Sequence, residues 1–137
     1  NWLWIYMASG IVFFGVGALI GWLTAGTGMA ALQCGASLLV WGVFVRTVVT
    51  WHITWSVNSL GHVFGYRNYA TDDNSRNNVL VGLLSNGEGW HNNHHADQRA
   101  AAHGHRWWEL DVTWITIRLL EKVGLVSEVV RPRLWTG

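Results

Sequence analysis

The sequence predicts an all-α protein in which a membrane-spanning helical hairpin precedes a polar, cytosolic helical cap. Two observations lead to this prediction. All nine Lys and Arg residues and all eight Asp and Glu residues lie at or after Arg46, so the first third of the chain is uncharged and apolar. Three of the seven histidines fall within five residues, His91 to His95, in the polar remainder. We therefore expect a hairpin over residues 1–50 and a stalk with a cap over residues 51–137.

The first helix is predicted from the stretch Trp2 to Leu23, which is 22 residues long and carries no charge. As a helix it can cross a hydrocarbon core of about 30 Å. Trp2 and Trp22 near its two ends fit the aromatic belts of a membrane. A buried helix of a soluble protein is the weaker alternative, because such a helix rarely stays uncharged for so long. The short turn Thr24–Gly28 makes the next helix an antiparallel neighbour.

The second helix is predicted to be longer than a membrane needs. Nothing breaks the sequence between Ala30 and Asn58, which is 29 residues or about 43 Å of helix. Its glycines and Ser37 are small enough for close helix packing. We expect it to leave the bilayer near Arg46 and to continue as a stalk. All positive charges follow the hairpin turn, so the positive-inside rule places the stalk and cap in the cytoplasm.

The stalk carries a stripe of four residues with spacings of 4, 3 and 4, namely Trp51, Trp55, Asn58 and His62. On a helix these residues share a face about 60° wide, and Asn58 and His62 are i, i+4 neighbours. The stripe changes from indole to amide and imidazole, which suits an apolar substrate that approaches a polar centre. His52 points about 80° away from His62 and is interpreted as an interface residue.

The sequence G-E-G-W-H-N-N-H-H (Gly87–His95) is the main candidate for a metal site. On a helix, His91 lies at the centre of one face, with His94 about 60° to one side and His95 about 40° to the other. Imidazole is the commonest metal ligand and suits iron, zinc, copper and nickel. The adjacent pair is splayed enough to reach two ions. Together with Asn58 and His62, the cluster suits two metals better than one.

The remaining segments are predicted to be loops and short helices. Asp72–Ser75 is a turn cluster, and Asn78–Leu84 is a short apolar segment. The stretch Asp97–Gly104 is predicted to be a polar loop. Trp107–Val123 is predicted to be an amphipathic helix, with Gly124 as the residue that ends it.

The composition excludes several functions. A formal net charge of +1 at pH 7 argues against nucleic-acid binding, which needs a basic face to neutralise phosphates. The one cysteine, Cys34, can form no intrachain disulfide and has no zinc-site spacing, so it is interpreted as a small core residue.

The chain begins with Asn1, and its apolar start lacks the basic segment of a signal peptide. We therefore expect it to be a fragment of a longer protein.

Three motifs resemble the membrane fatty acid desaturases, and within them the delta-9 acyl desaturase branch that includes stearoyl-CoA desaturases. They are T-W-S-V-N-S-L-G-H-V-F-G-Y-R (Thr54–Arg67), G-E-G-W-H-N-N-H-H-A (Gly87–Ala96) and W-W-E-L-D (Trp107–Asp111). The resemblance implies four transmembrane helices, of which this chain would supply the last two, and a cytosolic cap with a di-iron centre. The family also needs H-x-x-x-x-H and H-x-x-H-H boxes before the third helix, so the chain alone is expected to be inactive.

The resemblance also implies roles for individual residues. The implied iron ligands are His62, His91, His94 and His95, with Asn58 acting through water, while His103 and His105 match no ligand. Trp55 is implied to shape the acyl tunnel, and Trp51 shares its stripe. Three carboxylates near the motifs could orient the ligand imidazoles, although each could equally be a capping or surface residue. They are Glu88, Glu109 and Asp111.

The expected reaction is the introduction of a cis double bond into a saturated acyl chain, delivered as a thioester or a lipid. Protons of an unactivated methylene pair are not acidic, so the reaction needs an oxidant made from O2 at a metal. Electrons would come from a ferredoxin or a cytochrome b5-type carrier. The expected location is a bacterial inner membrane or the endoplasmic reticulum, in contact with membrane lipid. A histidine-box hydroxylase and a non-catalytic metal-binding membrane module remain alternatives.

Overall fold

The structure, a computed structural model, describes residues 2–133, and this part of the chain is helical without a β-strand. Asn1 and residues 134–137 of the predicted cap lie outside the described residues. The all-α prediction is therefore confirmed for the described chain. The elements are α1 (Trp2–Ala25), α2 (Gly28–Leu39), a π-helical segment (Val40–Val45), α3 (Arg46–Leu60), α4 (Val79–Leu84), α5 (His91–Ala96) and α6 (Val112–Lys122). Two compact units divide the chain, Asn1–Trp51 and His52–Gly137.

Two helices are long and apolar enough to cross a membrane. The first is α1, with 24 residues, and the second is the continuous helix Gly28–Leu60, with 33 residues. This confirms the two predicted helices of membrane length, and the second extends slightly beyond its predicted ends. The turn between them is tight, because Gly26 adopts a positive φ of 66° and Thr27 caps α2 by accepting a hydrogen bond from the Ala30 amide at 3.2 Å.

Small residues bring the two arms of the hairpin into backbone contact. A Cβ atom on Gly17 would collide with the carbonyl of Cys34, and one on Gly21 would collide with the carbonyl of Ala30. The predicted close packing is therefore present, and these two contacts depend on glycines of α1. The sequence does not predict the π-helical segment Val40–Val45, a rare geometry in which the Arg46 amide donates to the Trp41 carbonyl.

The second unit has a polar core built around the carboxylate of Glu109, which is only 4% exposed. Burying a carboxylate is costly unless hydrogen bonds satisfy it. Its two oxygens accept six hydrogen bonds of 2.6–3.3 Å. The donors are the Tyr66 hydroxyl, the side-chain amides of Asn68, Asn77 and Asn93, and the backbone amides of His105 and Arg106. The carboxylate thereby joins segments from four places in the sequence. Burial raises the pKa of Tyr66, and the hydrogen bond that its hydroxyl donates to Glu109 raises it further.

The segment that leads into α5 contains two glycines, Gly87 and Gly89, that the surrounding packing requires. Gly87 has a positive φ of 119° and packs against Asp111. A Cβ atom on Gly89 would collide with the backbone of Gly82 in α4. The segment just before α5 therefore packs against α4. Trp90 is buried there, and its indole N–H donates to the Leu110 carbonyl at 2.9 Å.

The predicted start of the amphipathic helix at Trp107 is wrong, because α6 begins at Val112. Asp111 sets this boundary by accepting a hydrogen bond from the Trp114 amide at 2.8 Å, which caps the helix. Trp107 lies in the preceding turn and is 86% exposed. The predicted end is correct, since Gly124 has a φ of 76° and its amide donates to the Glu121 carbonyl at 3.0 Å.

Replacement of the Glu109 carboxylate is expected to destabilise the second unit. Glu109→Gln leaves one acceptor oxygen and turns an NH2 group toward hydrogen-bond donors. The free energy of unfolding should fall by at least about 2 kcal/mol, since hydrogen bonds to a buried charged group are strong and costly to leave unmade. Thermal unfolding in detergent measures it. Glu88→Gln makes the same chemical change at an exposed site and should shift stability by less than about 0.5 kcal/mol. Equal shifts for the two variants would contradict the role of Glu109.

Candidate metal centre

Three imidazoles converge on one point in the second unit. His62 comes from the turn after α3, and His91 and His95 come from α5. The Nε2 atom of His91 lies 3.1 Å from the Nε2 atom of His62 and 3.1 Å from that of His95. One potential ligand atom from each residue lies within 4.8 Å of the other two. Three of the four predicted histidine ligands therefore point at a common position.

The geometry of this cluster fits a metal ion. Metal–imidazole bonds of about 2.0–2.1 Å place two nitrogens at right angles around an ion about 3 Å apart, which matches the spacing of His91 to each neighbour. Burial lowers the pKa of His91 to about 4, with further lowering from the adjacent His95 and His62. His91 is therefore neutral at pH 7, which is the form that binds metals. We call these three residues, His62, His91 and His95, the three-histidine cluster.

His62 reaches the cluster by a different route from the predicted one. The sequence predicts His62 on the stalk helix as the i+4 neighbour of Asn58. In the structure α3 ends at Leu60, and the His62 amide donates to the Ser59 carbonyl at 3.2 Å in a tighter turn. Gly61 permits this turn, because a Cβ atom there would collide with the Val57 carbonyl oxygen at 2.2 Å and would lie 3.3 Å from the Cβ of His91. Without a side chain at Gly61, the backbone after α3 packs closely against His91 of α5.

The other stripe residues lie on α3 with exposed side chains. Asn58 donates its side-chain amide to the Thr54 carbonyl at 3.3 Å, a contact within its own helix. Trp55 packs near His52, with ring centroids 5.4 Å apart. Trp51 lines an apolar groove of about 470 Å³ in the first unit. The water-mediated role of Asn58 and the tunnel roles of the two tryptophans stay predictions.

The adjacent histidines of α5 face different neighbours. While His95 joins the three-histidine cluster, the ring of His94 lies 4.6 Å from that of His103 and 6.1 Å from that of His91, measured between centroids. The His94 Nδ1 atom is buried without a hydrogen-bond partner among the described residues. Burial lowers the pKa of His94, and it lowers that of His103 to about 4. The predicted splay of the pair is visible in these contacts.

Sequence reasoning missed the burial of His105 and the half-buried position of His103. His105 is fully buried, and its Nδ1 atom lies 3.1 Å from the Tyr69 hydroxyl. The backbone of His103 is held on both sides. Its amide donates to the Asp111 carboxylate at 2.7 Å, and its carbonyl accepts from the Asn93 side-chain amide at 2.8 Å. Neither residue is a simple member of a polar surface loop, although the segment is non-helical as predicted.

Sequence reasoning also missed Asp73, which directly contacts the cluster. Its Oδ2 atom pairs with Nδ1 of His95, and its Oδ1 atom accepts hydrogen bonds from the Ser75 amide at 2.9 Å and the Thr71 hydroxyl at 3.0 Å. Hydrogen bonds from Ser75, with those from Thr71 and His95, hold the pKa of Asp73 well below its usual range. The sequence shows Asp73 only as part of a turn cluster, and no local spacing connects it with His95.

Two of the three carboxylates predicted to orient ligand imidazoles, Glu109 and Asp111, have other direct partners. Glu88 is exposed. Glu109 binds the network described above, including the side chain of Asn93 in α5. Asp111 accepts from the backbone amides of His103 and Gly104 and caps α6. Their connections to the histidines run through the backbone and the asparagines, and a direct orienting role stays a prediction.

Comparison with known proteins adds a family assignment. The Fatty acid desaturase family model matches residues 1–123. The chain is 43% identical over 132 residues to the sn-1 stearoyl-lipid 9-desaturase of Synechocystis sp., covering 96% of this chain and 36% of that protein. The sn-1 stearoyl-lipid 9-desaturase of Anabaena variabilis is 55% identical over 95 residues, covering 69% and 35%.

A third relative, the Acyl-CoA C20 Delta5-desaturase of Anemone leveillei, is 47% identical over 98 residues, which cover 72% of this chain and 31% of that protein. The chain spans about a third of the length of these curated relatives. The family model covers most of the chain, including His62, His91 and His95. This chain therefore belongs to the fatty acid desaturase family.

Proposed function

We propose that this chain contributes the three-histidine cluster of a membrane desaturase that introduces a cis double bond at position 9 of a saturated acyl chain. The observation that carries the proposal is the convergence of the Nε2 atoms of His62, His91 and His95. The two stearoyl-lipid relatives, both named 9-desaturases, support the position. The third relative is named for acyl-CoA and position 5, so the acyl carrier is either a lipid or a thioester.

The proposed cofactor is a pair of iron ions, with O2 as co-substrate. The three-histidine cluster would hold one iron through Nε2 atoms, and His94, whose buried Nδ1 lacks a partner among the described residues, would serve the second. Asn58 would act through a water molecule, as the resemblance implies. When bound, the irons would supply an oxidant made from O2, which the unactivated methylenes require. Electrons would come from a ferredoxin or a cytochrome b5-type protein.

The chain's own residues would prepare this chemistry by holding neutral imidazoles and by positioning the substrate. Trp51 lines an apolar groove, and both Trp51 and Trp55 lie on the helix that leads toward His62. We infer that the acyl chain passes these indoles and that their position decides which methylenes are oxidised. The three relatives described above are all named desaturases, which favours desaturation over the hydroxylase alternative.

The proposed location is an integral membrane position with the metal site on the cytoplasmic side. The helices α1 and Gly28–Leu60 have the necessary length and composition. Many large apolar side chains on them are exposed, including Trp2, Ile11 and Trp41, so a lipid environment would cover them. The absence of charge before Arg46 and the charges that follow it support the cytoplasmic side under the positive-inside rule.

Removal of any proposed histidine ligand is expected to abolish desaturation. The variants are His62→Ala, His91→Ala, His94→Ala and His95→Ala, introduced into the full reading frame that encodes this chain and expressed in a host lacking its own desaturase. Each should lower unsaturated product by more than about 100-fold, because water replaces an imidazole ligand poorly. Mass spectrometry of fatty acid methyl esters and iron analysis of the purified protein measure the effect. His52→Ala should keep product and iron close to wild type. Near wild-type product from His91→Ala would contradict the assignment.

Truncation of Trp55 is expected to change where the double bond forms without removing iron. In Trp55→Ala the acyl chain would lose a wall, and a misplacement of about 1 Å can cost on the order of 100-fold in rate. Double bonds should spread to neighbouring positions, while bound iron stays at the wild-type level. The matched control is Trp107→Ala, which removes an exposed indole outside the stripe. Loss of iron with unaltered double-bond position would show that Trp55 is ordinary packing.

A further inference from the structure

The two carboxylate oxygens of Asp73 have different partners, and one of these partners is His95. Oδ1 is held by the loop, since it accepts from the Ser75 amide at 2.9 Å and from the Thr71 hydroxyl at 3.0 Å. Oδ2 is left to bind Nδ1 of His95. A carboxylate fixed in this way cannot rotate away from the imidazole without breaking its hydrogen bonds to the loop.

The loop that carries Asp73 is itself fastened to α5. Asn92, fully buried in α5, accepts hydrogen bonds from the backbone amides of Asn68 and Tyr69 at 2.8 and 2.9 Å. Its amide nitrogen donates to the Tyr69 carbonyl at 3.1 Å and lies 3.4 Å from the Thr71 hydroxyl. The carboxylate and the imidazole therefore belong to one hydrogen-bonded body, although 22 residues separate them in the sequence.

An ionised carboxylate beside Nδ1 decides the tautomer of a neutral imidazole. The carboxylate can only accept, so Nδ1 must carry the proton and Nε2 keeps its lone pair. The Nε2 atom of His95 is the one that lies 3.1 Å from Nε2 of His91 in the three-histidine cluster. Asp73 thus acts on the far side of the ring from the proposed metal position.

We propose that Asp73 is a positioning residue that holds His95 in the Nδ1–H tautomer and so prepares its Nε2 atom to bind a metal ion. This inference rests on the metal-binding part of the proposed function. A carboxylate partner of this kind also raises the basicity of a ligand imidazole, and loss of such partners typically weakens metal binding about 10- to 100-fold. Neither the family motifs nor the spacing of the histidines indicates this residue.

The test is the substitution Asp73→Asn. The amide oxygen of the introduced side chain would keep the hydrogen bonds from Ser75 and Thr71, because an NH2 group there would face two donors. The NH2 group would then point at Nδ1 of His95 and donate to it, which moves the imidazole proton to Nε2 and removes the lone pair from the cluster. We expect Fe(II) affinity, measured anaerobically in the full-length protein by competition with a chromophoric chelator, to fall by about 10- to 100-fold.

The matched control is Asp72→Asn, which removes the same charge at the adjacent, exposed carboxylate. Its Fe(II) affinity should stay within about twofold of wild type, since substitutions at exposed sites have small effects. Equal affinities for the two variants would overturn the positioning role of Asp73. Wild-type Fe(II) binding without any unsaturated product would instead overturn the proposed reaction and leave the role of Asp73 intact, so the two failures are distinguishable.

A second measurement does not need iron. Solid-state ¹⁵N NMR of the histidine-labelled, metal-free protein in lipid bilayers reports which nitrogen of His95 carries the proton, with the resonances assigned by their loss in His95→Gln. We expect a protonated Nδ1 and an unprotonated Nε2 in wild type and in Asp72→Asn, and the reverse in Asp73→Asn. A purely structural role would lower the unfolding temperature of Asp73→Asn without exchanging the tautomers. Wild-type His95 with an unprotonated Nδ1 would overturn the proposal.

Discussion

The polar core of the second unit depends on keeping one buried carboxylate fully hydrogen-bonded. Glu109 sits where a charge is expensive, and its six donors come from the loop before α4, from α5 and from the segment after α5. Two of these donors, Asn77 and Asn93, also hold α5 through hydrogen bonds. Asn77 accepts hydrogen bonds from the backbone amides of Asn92 and Asn93 at 2.9 and 3.2 Å, which caps the start of α5. The network therefore determines where the histidines can lie.

This network gives the H-N-N-H-H motif two functions at once. A helix of six residues has little stability of its own, because so few internal hydrogen bonds form. The two asparagines between the histidines are fully buried and tie α5 to its surroundings. The histidines of the same helix can then present Nε2 or Nδ1 atoms to other partners. A short helix fixed by its asparagines explains how three imidazoles can be held close together before any ion binds.

The parts of the structure that could be predicted are those governed by local pattern. Uncharged length predicts the two long helices, helical spacing predicts the splay of His94 and His95, and Gly124 marks the end of α6. The parts that could not be predicted depend on distant contacts. The turn that takes His62 off its helix brings Gly61 against His91, which lies far along the chain. Asp73 and Glu109 gain their roles only when loops separated by 16 to 43 residues meet. The local periodicity of the sequence does not predict such contacts between distant residues.

The proposed function depends most on His62, His91 and His95 binding a single iron ion through their Nε2 atoms. The most direct test is a crystal structure of the iron-loaded full-length protein with diffraction data collected on both sides of the iron absorption edge. We expect an anomalous difference peak about 2.1 Å from the three Nε2 atoms, with a second iron on the His94 side. Iron bound elsewhere, with these three imidazoles in contact only with one another, would contradict the proposed metal site.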